Sequence, residues 1–194
     1  MALALLYLVV ASQVPAPFVH GGTRIEPAKE ANLVVVDTAA YRLEYYRSGA
    51  LVRSHDVSLG HAEGRKRRKG DLKTPRGVYF VIEKYRGAFD GAYGEYYGGH
   101  WIKVNYPGPE DAAYGLEKGW IDRATHDAIR TAWASRRATS QKTRLGGGIG
   151  FHGWAAEWEG EDGRLRSWGC VVLHNRDVGA FFEDVPVGAM VIIR

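Results

Sequence analysis

A mainly β domain with one helical insertion, at about residues 110–137, and a short C-terminal helix is the fold class this sequence predicts. Three observations carry it. Short apolar or alternating runs recur through the first half, at Leu33–Asp37, Tyr41–Tyr45, Leu51–Leu59 and Gly77–Glu83. Such runs, bounded by turn residues, are strand signals. Between residues 121 and 135, Ile121, Ala124, Ala128, Ile129, Ala132 and Trp133 instead recur at helical spacing. The chain then closes on Met190-Val191-Ile192-Ile193, a short buried-strand run.

In chain order, residues 2–11 form an uncharged apolar stretch, too short to span a bilayer. It fits the hydrophobic part of a secretory signal, with Val9 and Ala11 as a small-residue cleavage pattern. Residues 1–31 are therefore expected to be a signal-like segment and loop-like linker, and residues 32–194 the folded domain. Export to the periplasm or cell envelope follows, with no stable transmembrane anchor. The basic run Arg65-Lys66-Arg67-Arg68-Lys69 has no interleaved aromatics and is flanked by turn residues. It reads as a solvated loop, not a nucleic-acid patch. Residues 85–110, rich in Gly and Tyr, are expected to be a long loop able to line a cleft. Asp122 is positioned to cap the 121–135 helix, and Trp133 belongs to its core face. Val178, Phe181 and Phe182 mark the short C-terminal helix, with Asn175 as its expected cap.

Bulk properties narrow the function classes. With 194 residues the chain can bury a proper core as one domain. Its single cysteine excludes an internal disulfide and any multi-cysteine zinc site. The formal charge of +4 and a pI near 9.2 favour acidic surroundings or substrates, cell-wall polymers among them.

That cysteine, Cys170, lies in Ser167-Trp168-Gly169-Cys170-Val171-Val172-Leu173, preceded by Gly150-Phe151-His152-Gly153-Trp154. A free cysteine is more often inert core filler. Here it follows a glycine and opens a strand-like run, a position suited to the mouth of a cleft. A thiol near an imidazole is the equipment of cysteine acyl transfer: the thiolate attacks a carbonyl, and the imidazole takes the thiol proton and returns it to the leaving amine. Backbone N–H groups of Trp168, Gly169 and Cys170 are candidate oxyanion donors.

Gly-x-Gly-x-His-Gly followed by Ser-x-Gly-Cys, with 18 positions from His152 to Cys170, resembles the L,D-transpeptidase catalytic domain, the YkuD (ErfK/YbiS/YcfS/YnhG) family. The stretch Gly70-Asp71-Leu72-Lys73-Thr74-Pro75-Arg76-Gly77-Val78-Tyr79 looks like that family's Gly-Asp-x-x-Thr-Pro-x-Gly-x-Tyr segment. The resemblance implies a β-sandwich-like catalytic fold and peptidoglycan chemistry outside the cytoplasm. No cofactor or metal is expected. Carried over by position, Cys170 is the nucleophile, His152 its general base, and Gly153 orients the imidazole through its backbone carbonyl. The implied substrate is the peptidoglycan stem peptide, attacked at its third residue and then passed to an amine, in crosslinking or attachment of a wall protein.

Two positions depart from the family's Ser-His-Gly-Cys-x-Arg pattern: Trp168 stands for the histidine and Val172 for the arginine. An arginine there is a bidentate carboxylate binder. Arg144, Arg164 and Arg166 are candidates to take its place, and Ser167 is a further candidate substrate-binding residue. The variant pattern, with Trp101–Pro107 and Leu145–Ile149, looks closer to the YafK-like branch. That branch includes enzymes that release wall-anchored lipoprotein, so hydrolysis with water as acceptor is the alternative to transfer. A catalytically inactive wall-binding module is the rival from another class. A metal site drawn from the scattered histidines, His20, His55, His61, His100, His126 and His174, ranks lower, since they lack ligand spacing.

Overall fold

The apolar runs pair edge to edge, because each strand must place its backbone N–H and C=O groups in a ladder before it can be buried. The computed structural model describes residues 14–90, 94–155, 157–158 and 167–194. Among them a two-stranded hairpin, β1 (Phe18–His20) and β2 (Thr23–Ile25), precedes the main sheet. That sheet holds β3 (Asn32–Asp37), β4 (Arg42–Arg47), β5 (Ala50–Ser58), β6 (Gly77–Arg86) and β7 (His100–Val104). It continues with β8 (Gly150–His152), β9 (Val171–Leu173) and β10 (Met190–Ile193). The order is β10-β3-β4-β5-β9-β8-β7-β6, and β6 pairs back onto β10. The mainly β fold is as expected, and its sandwich-like sheet closes into a barrel, which leaves no strand edge free in the ring.

Alternation divides the strands between two layers of core. Val34 and Val36 of β3, Tyr79 and Val81 of β6, and Val191 and Ile193 of β10 point into the barrel. Their neighbours Leu33, Val35, Val78, Phe80, Met190 and Ile192 point outward to a second apolar cluster around Trp133. Strands buried on both faces read as continuous apolar runs, which is why these stretches were conspicuous in the sequence.

The helical insertion is two helices, α1 (Pro109–Glu117) and α2 (Arg123–Ala134). The Asp122 side chain accepts from the Thr125 N–H at 2.8 Å and caps α2. Trp133 is buried, and its Nε1–H donates to the Val78 carbonyl at 2.7 Å, which ties the insertion to β6. Truncating it would cost about 3–5 kcal/mol by the usual scale for buried aromatics.

Several expectations are corrected. The stretch read as a linker forms the β1–β2 hairpin across Gly21 and Gly22, both at positive φ. Its Phe18 and Ile25 join the Trp133 cluster, and His20 is buried beside the Trp133 ring. The apolar stretch at residues 2–11 lies outside the described residues. The loop expected over 85–110 contains β7, whose alternating Ile102 and Val104 bury in the barrel. That pattern is only two residues long and was hidden by surrounding Gly and Tyr. The helix α3 (Asn175–Asp184) starts one position earlier than expected, with His174 at its N-cap. Asn175 does not cap it, because its side chain is occupied elsewhere. No helix among the described residues is long and apolar enough to cross a membrane.

Candidate active site

Strands β8 and β9 run parallel, with Phe151 opposite Val171 and His152 opposite Val172. Phe151, Val171 and Leu173 fill the barrel. Alternation therefore turns His152 and Val172 to the outer face. Cys170, two residues before Val172, continues on that face, level with Gly150. Thiol and imidazole are thus displaced by one two-residue step, about 7 Å along the strands. Both line a cavity of about 490 Å³, with Leu72, Tyr97, Trp154 and Trp168 also on its wall.

The turn ahead of Cys170 is fixed by Ser167. Its N–H donates to the Leu59 carbonyl and its carbonyl accepts from the His61 N–H, at 2.9 and 2.8 Å. Its hydroxyl donates to the Cys170 carbonyl at 2.6 Å and accepts from the Gly169 N–H at 3.0 Å. Gly169 has φ +131°, and a Cβ added there would lie 2.6 Å from the Lys73 carbonyl oxygen. Only glycine fits that conformation and that approach.

Cys170 is half-buried, and its Sγ lies 3.5 Å from the Gly148 carbonyl. Burial pushes its thiol up to about 11, with the Gly150 N–H and the Lys66 charge pulling partly the other way. The thiol therefore keeps its proton at neutral pH. An attacking sulfur here has to lose that proton to a neighbouring base during the reaction.

His152 is buried, with its Nδ1 2.6 Å from the Gly153 carbonyl oxygen. A carbonyl can only accept, so Nδ1 carries the proton. In the neutral ring Nε2 is then the basic nitrogen. The rings of Tyr97, Trp101 and Trp154 surround the imidazole, with centroids 5.0, 5.8 and 6.3 Å away. Gly153 is itself held, since its N–H donates to the Tyr97 carbonyl at 3.0 Å. Asn175 grips the backbone of Trp154, with Oδ1 accepting from the Trp154 N–H and Nδ2 donating to the Trp154 carbonyl.

Other expected site residues fall differently. Ser167 lines the Cys170 cavity but is buried, with its hydroxyl bonded within the turn. The Gly169 N–H is engaged by Ser167, which removes it from the expected oxyanion donors. Arg144 is exposed with its guanidinium over the Trp120 ring, and it is absent from the wall of the Cys170 cavity. Arg164 and Arg166 lie outside the described residues.

The basic run is not the solvated loop expected. Lys66 is buried, with Nζ 2.9 Å from an Asp71 carboxylate oxygen and 3.0 Å from the Arg68 carbonyl. Asp71 also accepts from the Arg67, Arg68 and Lys73 N–H groups. One carboxylate thus organises the turn, and Lys66 and Lys69 both reach the cavity wall. Sequence reasoning missed these lysines because charge density by itself reads as solvent. It also missed Tyr97, whose phenol is pushed up by burial and by the neighbouring Cys170 sulfur. The Gly/Tyr-rich stretch expected to line a cleft was the available signal for it. Among the described residues no group of three or more His, Cys, Asp or Glu side chains is arranged to hold a metal ion.

A mainly β barrel with a carbonyl-anchored imidazole on one strand and a thiol just ahead of its parallel neighbour defines a class, and the sequence comparison names it. The family model for the L,D-transpeptidase catalytic domain (YkuD) matches residues 31–193, and the chain belongs to that family. Among solved structures, the helical cell shape determining protein Pgp2 of Campylobacter jejuni is similar at 22% identity, with TM-score 0.56, over 85% of this chain and 48% of that one. Bd1075 of Bdellovibrio bacteriovorus aligns at 19% identity and TM-score 0.53, over 85% of this chain and 48% of its own. An L,D-transpeptidase from Enterococcus faecium aligns at 18% identity and TM-score 0.51, over 90% and 54%. At these identities the likeness is one of fold. The chain spans about half the length of these structures. No curated protein sequence matches it.

Proposed function

We propose that this chain is a cysteine-dependent peptidoglycan L,D-transpeptidase working at the cell envelope. The observation that carries this reading is the shared outer face of β8 and β9. It brings Cys170 and His152 to one cavity, with the imidazole tautomer set by the Gly153 carbonyl. His152 Nε2 takes the Cys170 proton as sulfur attacks the carbonyl of the third stem residue. The tetrahedral oxyanion is stabilised by the Cys170 N–H, a kind of contact worth about 3 kcal/mol. Collapse breaks the amide C–N bond, and His152 returns its proton to the departing D-Ala amine. The thioester then passes to an amine acceptor, such as a second stem or a wall-anchored lipoprotein. A thioester divides one hard amide exchange into two easier steps.

The same pair run with water as acceptor is the hydrolytic reading, as in the YafK-like branch. Incubation with muropeptides, followed by mass spectrometry of the products beside Cys170→Ala, separates the two. New 3→3 dimers support transfer. Tripeptides or released lipoprotein stems without dimers move the assignment to hydrolysis. Full activity in Cys170→Ala overturns both.

A further inference from the structure

A second pocket of about 520 Å³ lies beside the Cys170 cavity, and Gly70 and Leu72 line both. Its walls are the Asp71-centred turn on one side and Tyr114 and Trp120 of the helical insertion on the other. The charges on this turn are unequal in what they already do. Arg65 is paired with Glu110 and Asp111, and Lys66 with Asp71. Arg67 lies over the Tyr114 ring at 4.5 Å. No carboxylate among the described residues pairs with Arg68 or Lys73. Asp71, the one acid on the pocket wall, is occupied by Lys66 and three backbone N–H groups. Its carboxyl is held below the ordinary range despite partial burial. The pocket therefore presents guanidinium groups, with Lys73 on its wall, and no competing free acid, over an aromatic floor.

We propose that this pocket is a carboxylate-binding subsite for the peptide whose carbonyl Cys170 attacks, with Arg68 and Lys73 as the carboxylate ligands. The inference rests on the acyl-transfer reading for the identity of that peptide. Its geometry is independent of that reading. A chain crossing the Gly70–Leu72 ridge has its reacting carbonyl at the thiol and its acidic groups among the cations. The aliphatic portion between them packs on Tyr114 and Trp120. Lys69, on the Cys170 side of the ridge, continues the positive wall. This arrangement supplies the cationic recognition that Val172 cannot, at a different place in the fold.

The test is calorimetric titration of the full chain carrying Cys170→Ala with two synthetic stem tetrapeptides, one with free carboxylates and one amidated. The free acid is expected to bind about tenfold or more tightly than the amide, the scale of a lost charge-assisted contact. Adding Arg68→Gln and Lys73→Gln is expected to erase that difference and leave amide binding unchanged. Neither side chain holds a partner that the fold needs, and circular dichroism checks that each variant is folded. Equal binding of the two peptides, or a preference that survives both substitutions, overturns the subsite. Charge-dependent binding by a protein whose wild-type form never acylates Cys170 supports the subsite and sinks the transfer reading. The two failures are thus told apart.

Discussion

Asn175 holds both backbone polar groups of Trp154, its Oδ1 accepting from the Trp154 N–H at 2.9 Å while its Nδ2 donates to the Trp154 carbonyl. The packing around it leaves no slack. A Cβ added at Gly98 or at Gly153 would lie 2.2 Å from the Asn175 Oδ1. The Gly153 carbonyl that fixes His152 Nδ1 belongs to the same peptide group as the Trp154 N–H that Asn175 holds. Asn175, on α3, is thus a positioning residue that sets the imidazole through backbone alone.

Asn175→Ala is expected to lower kcat by up to about a hundredfold, the scale of a small misplacement of catalytic groups, with little change in KM. Asn175→Asp keeps the acceptor arm and should recover part of the loss. The His152 Nδ1–H resonance, followed by NMR, should shift or broaden in the alanine variant. A normal kcat with an unchanged resonance would remove Asn175 from the site.

The Ser167 hydroxyl is engaged within the turn, so its removal is expected to appear in kcat and stability, with KM left alone. Ser167→Ala deprives the Gly169 N–H and the Cys170 carbonyl of their shared partner, at about 1–3 kcal/mol. Urea denaturation measures that cost. A raised KM with unchanged stability would return Ser167 to substrate binding.

Burial holds the Cys170 thiol protonated, with its pKa raised to about 11. Below the ordinary thiol value, folded and unfolded chains both keep this proton and Cys170 adds no pH dependence. Between that value and about 11 the unfolded chain gives it up first, so the Cys170 contribution to stability falls as pH rises. Cys170→Ala should flatten the fall. Iodoacetamide alkylation of the wild-type protein should keep rising about tenfold per pH unit through neutrality, since only the thiolate reacts. A rate that levels off near neutral pH would mean a preformed thiolate.

The strands of the barrel were legible because several are buried on both faces and so read as unbroken apolar runs, as at Leu33–Val36 and Met190–Ile193. Closure of the ring was not. It depends on β10 lying between β3 and β6, partners far away in sequence with no local signal. The candidate pair, Cys170 and His152, stood out because glycines flank both. The shell around them did not. The Asp71 hub turns an apparent solvent loop into a cavity wall, and the Asn175 clamp turns an expected cap into a support for Gly153. Both roles lie in side-chain-to-backbone bonds, which composition and periodicity do not encode. The Ser167 hydroxyl's two bonds within the turn are likewise not legible in the sequence, which does not show where a hydroxyl points.

Trapping the acyl enzyme tests the central claim most directly. The purified protein is mixed with a disaccharide-tetrapeptide, quenched in acid within the first turnover, and measured as intact protein and as peptides. The mechanism predicts a single adduct equal to the substrate less its terminal D-Ala, mapped to Cys170, labile to hydroxylamine and absent from Cys170→Ala. Product formation with no adduct on Cys170, or turnover by Cys170→Ala at the wild-type rate, would contradict it.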